Sequence, residues 1–587
     1  IPKHLQTIFQ RAAQVAIPEL KEAFQVIPQK NEAWDYQCAS AMQFFNKFKK
    51  QGSFGFASCK DMATAIVESV PKDAFETTID KIELSKIGKG PDEKSGFFLN
   101  IFLKDNYVHE RIAHINNRKT IELEDKPSAQ GGEESKEEKP PKVLVDFSSP
   151  NIAKNMHVGH LRSTIQGDSI CRIFEFLGYE VMRVNHVGDW GTQFGMLIQE
   201  LNENFPDFLE NTPAISDLQS FYQNAKKRFD EDEEFKKKAH DNVVKLQSGD
   251  EACLAGWKML CQLSRNEFQK LYDRLDVKLE ECGESFYNPF LPGIVSELKE
   301  KGVAVEDQGA ICIFVGKKKA PPMIIQKSDG GFGYASTDIA AIRYRAQELK
   351  CDRIVVVTDV GQEFHFKQLF EAGPKCGYVD PKVTKLDHMM FGMVLQEVVT
   401  VDENGKEVKK QEKIKTRAGK SVKLVELLDE AKERQLQMFK DRMASGEPEE
   451  DGEDKEPKEQ KKVQLDEKEL EEAAEVLGIS SIKYFDLRQN RVQNYVFNYD
   501  HMLDPKGNTG VYLIYAYVRI CSILRKAGFD DAKADDYKFV ISNKAERDLA
   551  LTILRLPEAV EDAAKNLAVN RLTDQLYEIS SRVSDFY

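Results

Sequence analysis

The segment KVLVDFSSPNIAKNMHVGHLRST, Lys142 to Thr164, constrains the fold more than any other stretch of this 587-residue chain. It opens on KVLVDFSS, Lys142 to Ser149, a short and nearly continuous apolar run of the kind buried on both faces of a parallel sheet. An irregular turn holding Pro150 follows, then a helical stretch from His160 to Leu177. A second strand pattern, EVMRVNHV, begins at Glu180. Further on, SDGGFGYASTDIAAIRYRAQELK leads through a helix into the apolar strand DRIVVVTD, which ends at Asp359. Strand, helix, strand with polar residues at the strand ends predicts an α/β fold: a Rossmann-like, doubly wound parallel sheet that binds ligands at its carboxyl edge.

A chain of this length exceeds one hydrophobic core, so several domains are expected. Helical patterns and the strand-like run GFFLNIFL, Gly96 to Leu103, predict an N-terminal α+β domain over residues 1–121. Two acidic segments read as linkers, residues 122–141 and 441–465. ELEDKPSAQGGEESKEEKPPK carries seven acidic and four basic residues, and DRMASGEPEEDGEDKEPKEQKKVQ nine and five. Both are too polar to bury and are expected as disorder or exposed loop. Between them, residues 142–440 are expected to form the Rossmann-like domain with insertions, and 466–587 read as an α-helical bundle. The net charge of −14 argues against coating nucleic acid by bulk positive charge but allows a local basic groove. No apolar run reaches the length of a membrane span. Ten scattered cysteines with no C-x-x-C pair are expected as reduced cytosolic thiols, without a structural zinc or other metal site. The first residue, Ile1, and the absence of an apolar signal core fit a fragment or processed form.

The chemistry concentrates in the turn after the first catalytic strand. His157 and His160 bracket Gly159, where a ligand can approach the backbone. The helix start adds unpaired N–H groups and a partial positive charge suited to phosphate. Imidazoles there can donate to phosphate oxygens that gain charge during transfer. In isolation His157 reads equally well as a satisfied turn histidine and Gly159 as a turn glycine. Asp338, taken alone, reads as an exposed or N-capping carboxylate. Trp190 and Tyr36 are expected in cores rather than against ligands.

Together, DFSSPNIAKNMHVGHLRST, NHVGDWGTQFG, GESFYNP, SDGGFGYASTDIAA and TDVGQEFHF, with YQCASAM before them and IKYFDLRQNRVQNYVFNYDHML after, resemble the arginyl-tRNA synthetase family of class I aminoacyl-tRNA synthetases, cytoplasmic type. The motifs stand in the family's order and span nearly the whole chain. The resemblance implies an enzyme that activates L-arginine with ATP to arginyl-adenylate and passes it to the 3′-terminal adenosine of tRNA-Arg. It implies an arginine site of Ser149, Pro150, Asn151, His160, Tyr334, Asp338 and Gln362, with Asp146 and Glu284 as further contacts. A planar, permanently charged guanidinium suits a carboxylate and flat acceptors, and Tyr334 and Asp338 share one face of the predicted helix. The family's HIGH motif is HVGH here, placing His157, Gly159 and His160 on ATP. Its KMSKS loop corresponds to KIKTRAG, Lys413 to Gly419, a degenerate form in which no KMSKS string exists. Lys154, just before the histidines, is expected to compensate, with Lys415 and Arg417 sharing the pyrophosphate charge. The stretch before it, VTVDENGKEVKKQEKIK, alternates around Asn404-Gly405 as a hairpin does.

Mg²⁺ is implied only as a companion of the ATP phosphates. The family's requirement for bound tRNA during activation implies a site assembled by closure. The C-terminal bundle is implied to read the anticodon region, with Tyr484, Arg488, Asn490, Arg491, Tyr495 and Phe497 near the tRNA; bundle core is the competing reading for half of these aromatics. Arg519 is a further exposed candidate. The family's bundle continues past the position of Tyr587, so the resemblance implies missing helices and a weakened anticodon contact. A monomer and a member of a larger synthetase assembly both fit the pattern. Two other classes compete: a catalytically silent paralogue serving as an RNA-binding scaffold, and a nucleotidyltransferase without an RNA substrate.

Overall fold

Lys142–Asp146 is the middle strand of a five-stranded, all-parallel sheet in the computed structural model. The order is Lys385–His388, Arg353–Val356, Lys142–Asp146, Glu180–Asn185, Glu280–Glu281. From the middle strand the chain first builds outward through Glu180–Asn185 and Glu280–Glu281, then returns to build the other side. The reversal point therefore lies between Lys142–Asp146 and Arg353–Val356, and a ligand crevice is expected outside their carboxyl ends. Val143, Leu144 and Val145 are fully buried, as the unbroken apolar run requires. The expected α/β class and its strands are observed, with the helix running over Val158–Phe176.

The structure describes residues 1–20, 22–28, 33–51, 55–87, 95–118, 139–208, 210, 218–316, 320–401, 407–414, 422–445, 465–530 and 540–586. Most of both acidic segments lies outside these residues, as do Lys415 and Arg417.

The chain divides into two compact units that do not follow linear order: residues 127–512 with 566–570, and residues 1–126 with 513–565 and 571–587. The sequence boundaries 1–121 and 466–587 therefore do not coincide with the compact units. In the second unit a four-stranded antiparallel sheet, Ile27–Pro28, Tyr36–Cys38, Gly96–Leu103 and Ile79–Ile87, carries the α+β core. Ala550, Leu551 and Leu554 of helix Lys544–Leu554 complete that core. Arg547 forks onto both carboxylate oxygens of Asp35, at 3.0 and 2.9 Å, and Tyr36 is fully buried with its hydroxyl donating to Glu558. Pairing of residues so distant in sequence leaves no local pattern to read.

The unit built on the parallel sheet also takes helix Glu467–Leu487, whose start is closed by a reciprocal Asp466–Glu469 capping box. Near its end, Asp486 meets Arg162 of the helix that follows the histidine turn, Nε to Oδ2 at 2.8 Å with both side chains fully buried. Gln166 donates to the other oxygen of Asp486 at 2.8 Å, and Tyr495 donates to Oδ2 at 2.9 Å. The expected hairpin is present as Val394–Val401 paired with Glu407–Lys413. Among the described residues no helix is long and apolar enough to cross a membrane, and all ten cysteines are free thiols.

Candidate active site

The turn leaving Lys142–Asp146 is held in a costly shape. Ser148, Ser149 and Ala153 all have positive φ, at 72°, 46° and 61°, in a region that residues with a Cβ rarely adopt. A hydrogen-bond net enforces it. The Ser148 amide donates to Ser163 and the Ser149 amide to Asn185, each at 2.9 Å, while the Ser148 hydroxyl meets Tyr272 at 2.8 Å. The Thr164 hydroxyl lies within hydrogen-bond distance of both Ser148 Oγ and the His160 carbonyl, which share its one proton. Pro150 accepts from the Gly188 amide and Asn151 bridges to the same glycine, so the turn is stitched to the loop after Glu180–Asn185.

His157 is the N-cap of helix Val158–Phe176, its Nδ1 accepting the Gly159 amide at 3.1 Å; His160 Nδ1 reaches back to accept the His157 amide at 3.1 Å. The ring centroids stand 4.0 Å apart. Since each Nδ1 accepts, the proton of each neutral ring belongs on Nε2, which leaves two Nε2–H donors at a helix N-terminus. Burial pushes His157 down, and it pushes His160 down to about 3, helped by the charges of His157 and Lys154. Both rings are therefore neutral donors near pH 7. A Cβ on Gly159 would come within 2.9 Å of the His157 ring, so the glycine is needed for the imidazole pair itself.

Lys154 lies beside this pair, its ammonium 5.1 Å over the Tyr222 ring and close enough to act on His160. On the other side Lys423 bridges to His157 and the Leu424 amide donates to Met156. Lys423 and Leu424, a few positions after Lys415 and Arg417 in sequence, thus pair directly with the histidine turn.

A second cluster gathers carboxylates. Asp338, on helix Tyr334–Arg343, meets His365 Nε2 at 2.6 Å, and the Tyr334 ring packs edge-on to His365 at 5.1 Å. Glu284 opens the short helix Glu284–Tyr287. Burial, then Asp338 and Asp189, raise its carboxyl to about 7. Asp189 is itself raised by burial and anchored by the Ser285 amide and hydroxyl at 2.8 and 2.6 Å. Among the described residues no lysine or arginine pairs with Asp338 or Glu284. Partly buried acids without a permanent cation beside them suit a cationic ligand.

Asp146 is different. Its Oδ2 pairs with Arg345 Nη2 at 2.7 Å and its Oδ1 accepts the Ser149 hydroxyl at 3.0 Å. As placed, Asp146 and Ser149 hold the turn. Gln362 is exposed at the start of helix Glu363–Lys375, its amide donating to Asp359 at 3.2 Å.

The six implied RNA contacts are placed as follows. Tyr484 and Tyr495 are buried, with hydroxyls donating to Asn508 and Asp486. Arg488 donates to the Asn508 carbonyl and stacks on Phe485, while Arg491 donates to the Met390 and Leu567 carbonyls. Phe497 packs between Phe485 and Tyr499. Asn490 alone of the six is exposed. The apolar–basic alternation there serves core packing and carbonyl capping.

Sequence reading missed His365, His186, Asp189 and Arg345. His186 is half-buried, stacks on Tyr287 at 5.5 Å and lies within reach of the charges of Asp146, Arg345, Asp338 and Asp189. His365, His186 and Asp189 sit inside the motifs that carry the resemblance, so a signal was present; Arg345 lies past the end of its motif, in a helical stretch where nothing set it apart.

Three family models match the chain: "tRNA synthetases class I (R), catalytic domain" over residues 125–499, "DALR anticodon binding domain" over 513–587, and "Arginyl tRNA synthetase N terminal domain" over 3–103. The chain is 44% identical over 524 residues to an arginine–tRNA ligase of Synechococcus elongatus, covering 88% of this chain and 83% of that one. It is 40% identical over 595 residues to a cytoplasmic arginine–tRNA ligase of Xenopus tropicalis, covering 100% and 81%. Among solved structures, an arginyl-tRNA synthetase of Plasmodium falciparum superposes with a TM-score of 0.80 at 36% identity, over 100% of this chain and 92% of that one. One from Thermus thermophilus gives a TM-score of 0.70 at 19% identity over the same shares, a likeness of fold.

Proposed function

The chain belongs to the arginyl-tRNA synthetase family of class I, and from that premise we propose how its own residues carry out arginine–tRNA ligation. The reaction joins L-arginine to tRNA-Arg at the expense of ATP. The observation that carries the assignment of roles is the pairing of two neutral imidazole donors at a helix N-terminus with a carboxylate cluster that lacks a lysine or arginine partner.

In the first step the arginine carboxylate attacks the α-phosphorus of ATP and pyrophosphate leaves. The Nε2–H groups of His157 and His160 donate to phosphoryl oxygens as they gain charge, and Lys154, with Lys415 and Arg417, balances the pyrophosphate. Mg²⁺ enters as part of the nucleotide substrate. Asp338 and Glu284 hold the guanidinium, with Tyr334 beside it; Ser149, Asn151 and Gln362 serve the α-amino acid end. In the second step the 2′-hydroxyl of the terminal adenosine attacks the acyl carbon. Neither step needs a protein nucleophile, so alignment and charge stabilisation supply the rate. Residues 1–121 and 466–587 contact the tRNA in this reading, with Asn490 exposed for it and Tyr484 and Tyr495 as supporting core. A cytoplasmic location accords with ten free thiols.

The test is charging of tRNA-Arg with radiolabelled arginine against lysine and citrulline. Arginine alone should be incorporated, and equal incorporation of citrulline would overturn the carboxylate assignment. His160→Ala is expected to lower kcat/KM at least ~10²-fold in ATP–pyrophosphate exchange, because one preorganised donor to the transferring phosphate is lost. Glu284 predicts a pH effect. Its carboxyl sits near 7 without ligand and must be ionised to pair with a guanidinium, so arginine affinity should weaken as pH falls below 7. The limiting slope is about tenfold per pH unit. Titration calorimetry at pH 6 and 8 reads this as proton release on binding, and Glu284→Gln should flatten the dependence.

A further inference from the structure

Arg345 is a guanidinium built into the wall of a site that must receive another guanidinium. It lies in a π-helical turn, Tyr344–Glu348, directly after the helix that carries Asp338. Such a one-residue insertion rotates everything downstream, and π turns recur at functional sites. Here it brings Arg345, almost wholly buried, to Asp146 Oδ2 at 2.7 Å and to His186 Nδ1 at 3.4 Å. His186 thus touches the Arg345 end of the Asp146 pair, and the charges of Asp338 and Asp189 also act on it.

We infer that Arg345 is a positioning residue that sets the register of bound arginine, by occupying Asp146 so that only Asp338 and Glu284 are left to take the substrate's side chain. This rests on the arginine reading above. An amino acid with a guanidinium at one end has two productive requirements, its side chain on the acids and its carboxylate at the α-phosphorus. An ionised Asp146 without Arg345 would offer a second guanidinium acceptor at the root of the histidine turn. Arginine bound there would place its carboxylate away from the phosphate. Asp146 is nonetheless kept, because its other oxygen holds the Ser149 hydroxyl in the positive-φ turn. The pair therefore separates two tasks of one carboxylate: shaping the turn and not competing for the substrate.

Non-productive binding has a kinetic signature that general loosening lacks: kcat and KM fall together while kcat/KM changes little. The experiment is arginine-dependent ATP–pyrophosphate exchange with tRNA-Arg present, on the full chain. Arg345→Met should lower kcat and the arginine KM in parallel, each roughly tenfold, with kcat/KM within about threefold of the parent. Adding Asp146→Asn, which removes the stray charge but keeps an oxygen for Ser149, should return both constants toward the parent values. Unchanged constants in Arg345→Met would overturn the inference. So would a loss of kcat with constant or raised KM that Asp146→Asn fails to reverse. If Arg345→Met does not fold, the double variant decides alone, since it buries no lone charge: kinetics within about threefold of the parent support the inference, and a loss beyond about tenfold overturns it. Failure of the arginine reading itself would show in the unaltered protein, as exchange that does not depend on arginine.

Discussion

Asp338→Ala is expected to lower kcat/KM for arginine by roughly 10³, about 4 kcal/mol, with most of the loss specific to arginine. The substitution removes a partly buried carboxylate that no lysine or arginine neutralises among the described residues and leaves the incoming guanidinium desolvated opposite His365 and Tyr334. Glu284 compensates only in part: losing Asp338 removes one of the charges that raise its carboxyl, but burial and Asp189 still hold it up, and one carboxylate is left where two faced the guanidinium. Two readouts check it. Pyrophosphate exchange gives the kinetic loss, and competition between arginine and citrulline gives its chemical origin: discrimination should collapse along with rate. Near-parental kinetics would remove Asp338 from the guanidinium site, whatever the fate of the histidine turn.

Asp486→Ala should cost about 3–5 kcal/mol of stability, since Arg162 would be left as an uncompensated charge in a wholly buried position. The loss falls at a sensitive place. Arg162 is two residues from His160, and its guanidinium also donates to the carbonyls of Gly392 and Gln493, at 2.6 and 3.2 Å, while stacking over Tyr495. Denaturant unfolding measures the cost. Replacing both partners together, Arg162→Met with Asp486→Leu, should cost much less than Asp486→Ala alone, because desolvation of the pair offsets much of its attraction. Equal losses from the single and the paired change would show that shape rather than charge holds this junction.

The two experiments address parts of the protein that were not equally visible beforehand. The parallel sheet was legible because a strand buried on both faces must be apolar throughout, so KVLVDFSS and DRIVVVTD announce themselves within a few residues. His157, Gly159 and His160 were legible for a similar reason: a helix N-terminus is a local event, and its capping residues lie within three positions of each other. Tyr334 and Asp338 shared a predicted helix face, and the helix is there. The aromatics from Tyr484 to Phe497 could be read either way because stacking platforms for bases and bundle cores draw on the same residue types. Only burial separates them, and burial is a property of the whole unit.

Sequence alone thus determined the elements, the carboxyl edge of the sheet and the histidine turn that caps the helix after it, each encoded within a short window by periodicity or capping. The tertiary structure decided which carboxylates are free. Asp146, Asp338 and Glu284 look alike in sequence, yet one faces Arg345, one meets His365, and one is raised toward neutrality by its neighbours. Charge pairing acts through space over a few ångströms, between residues that the chain order keeps far apart, and no local pattern records it.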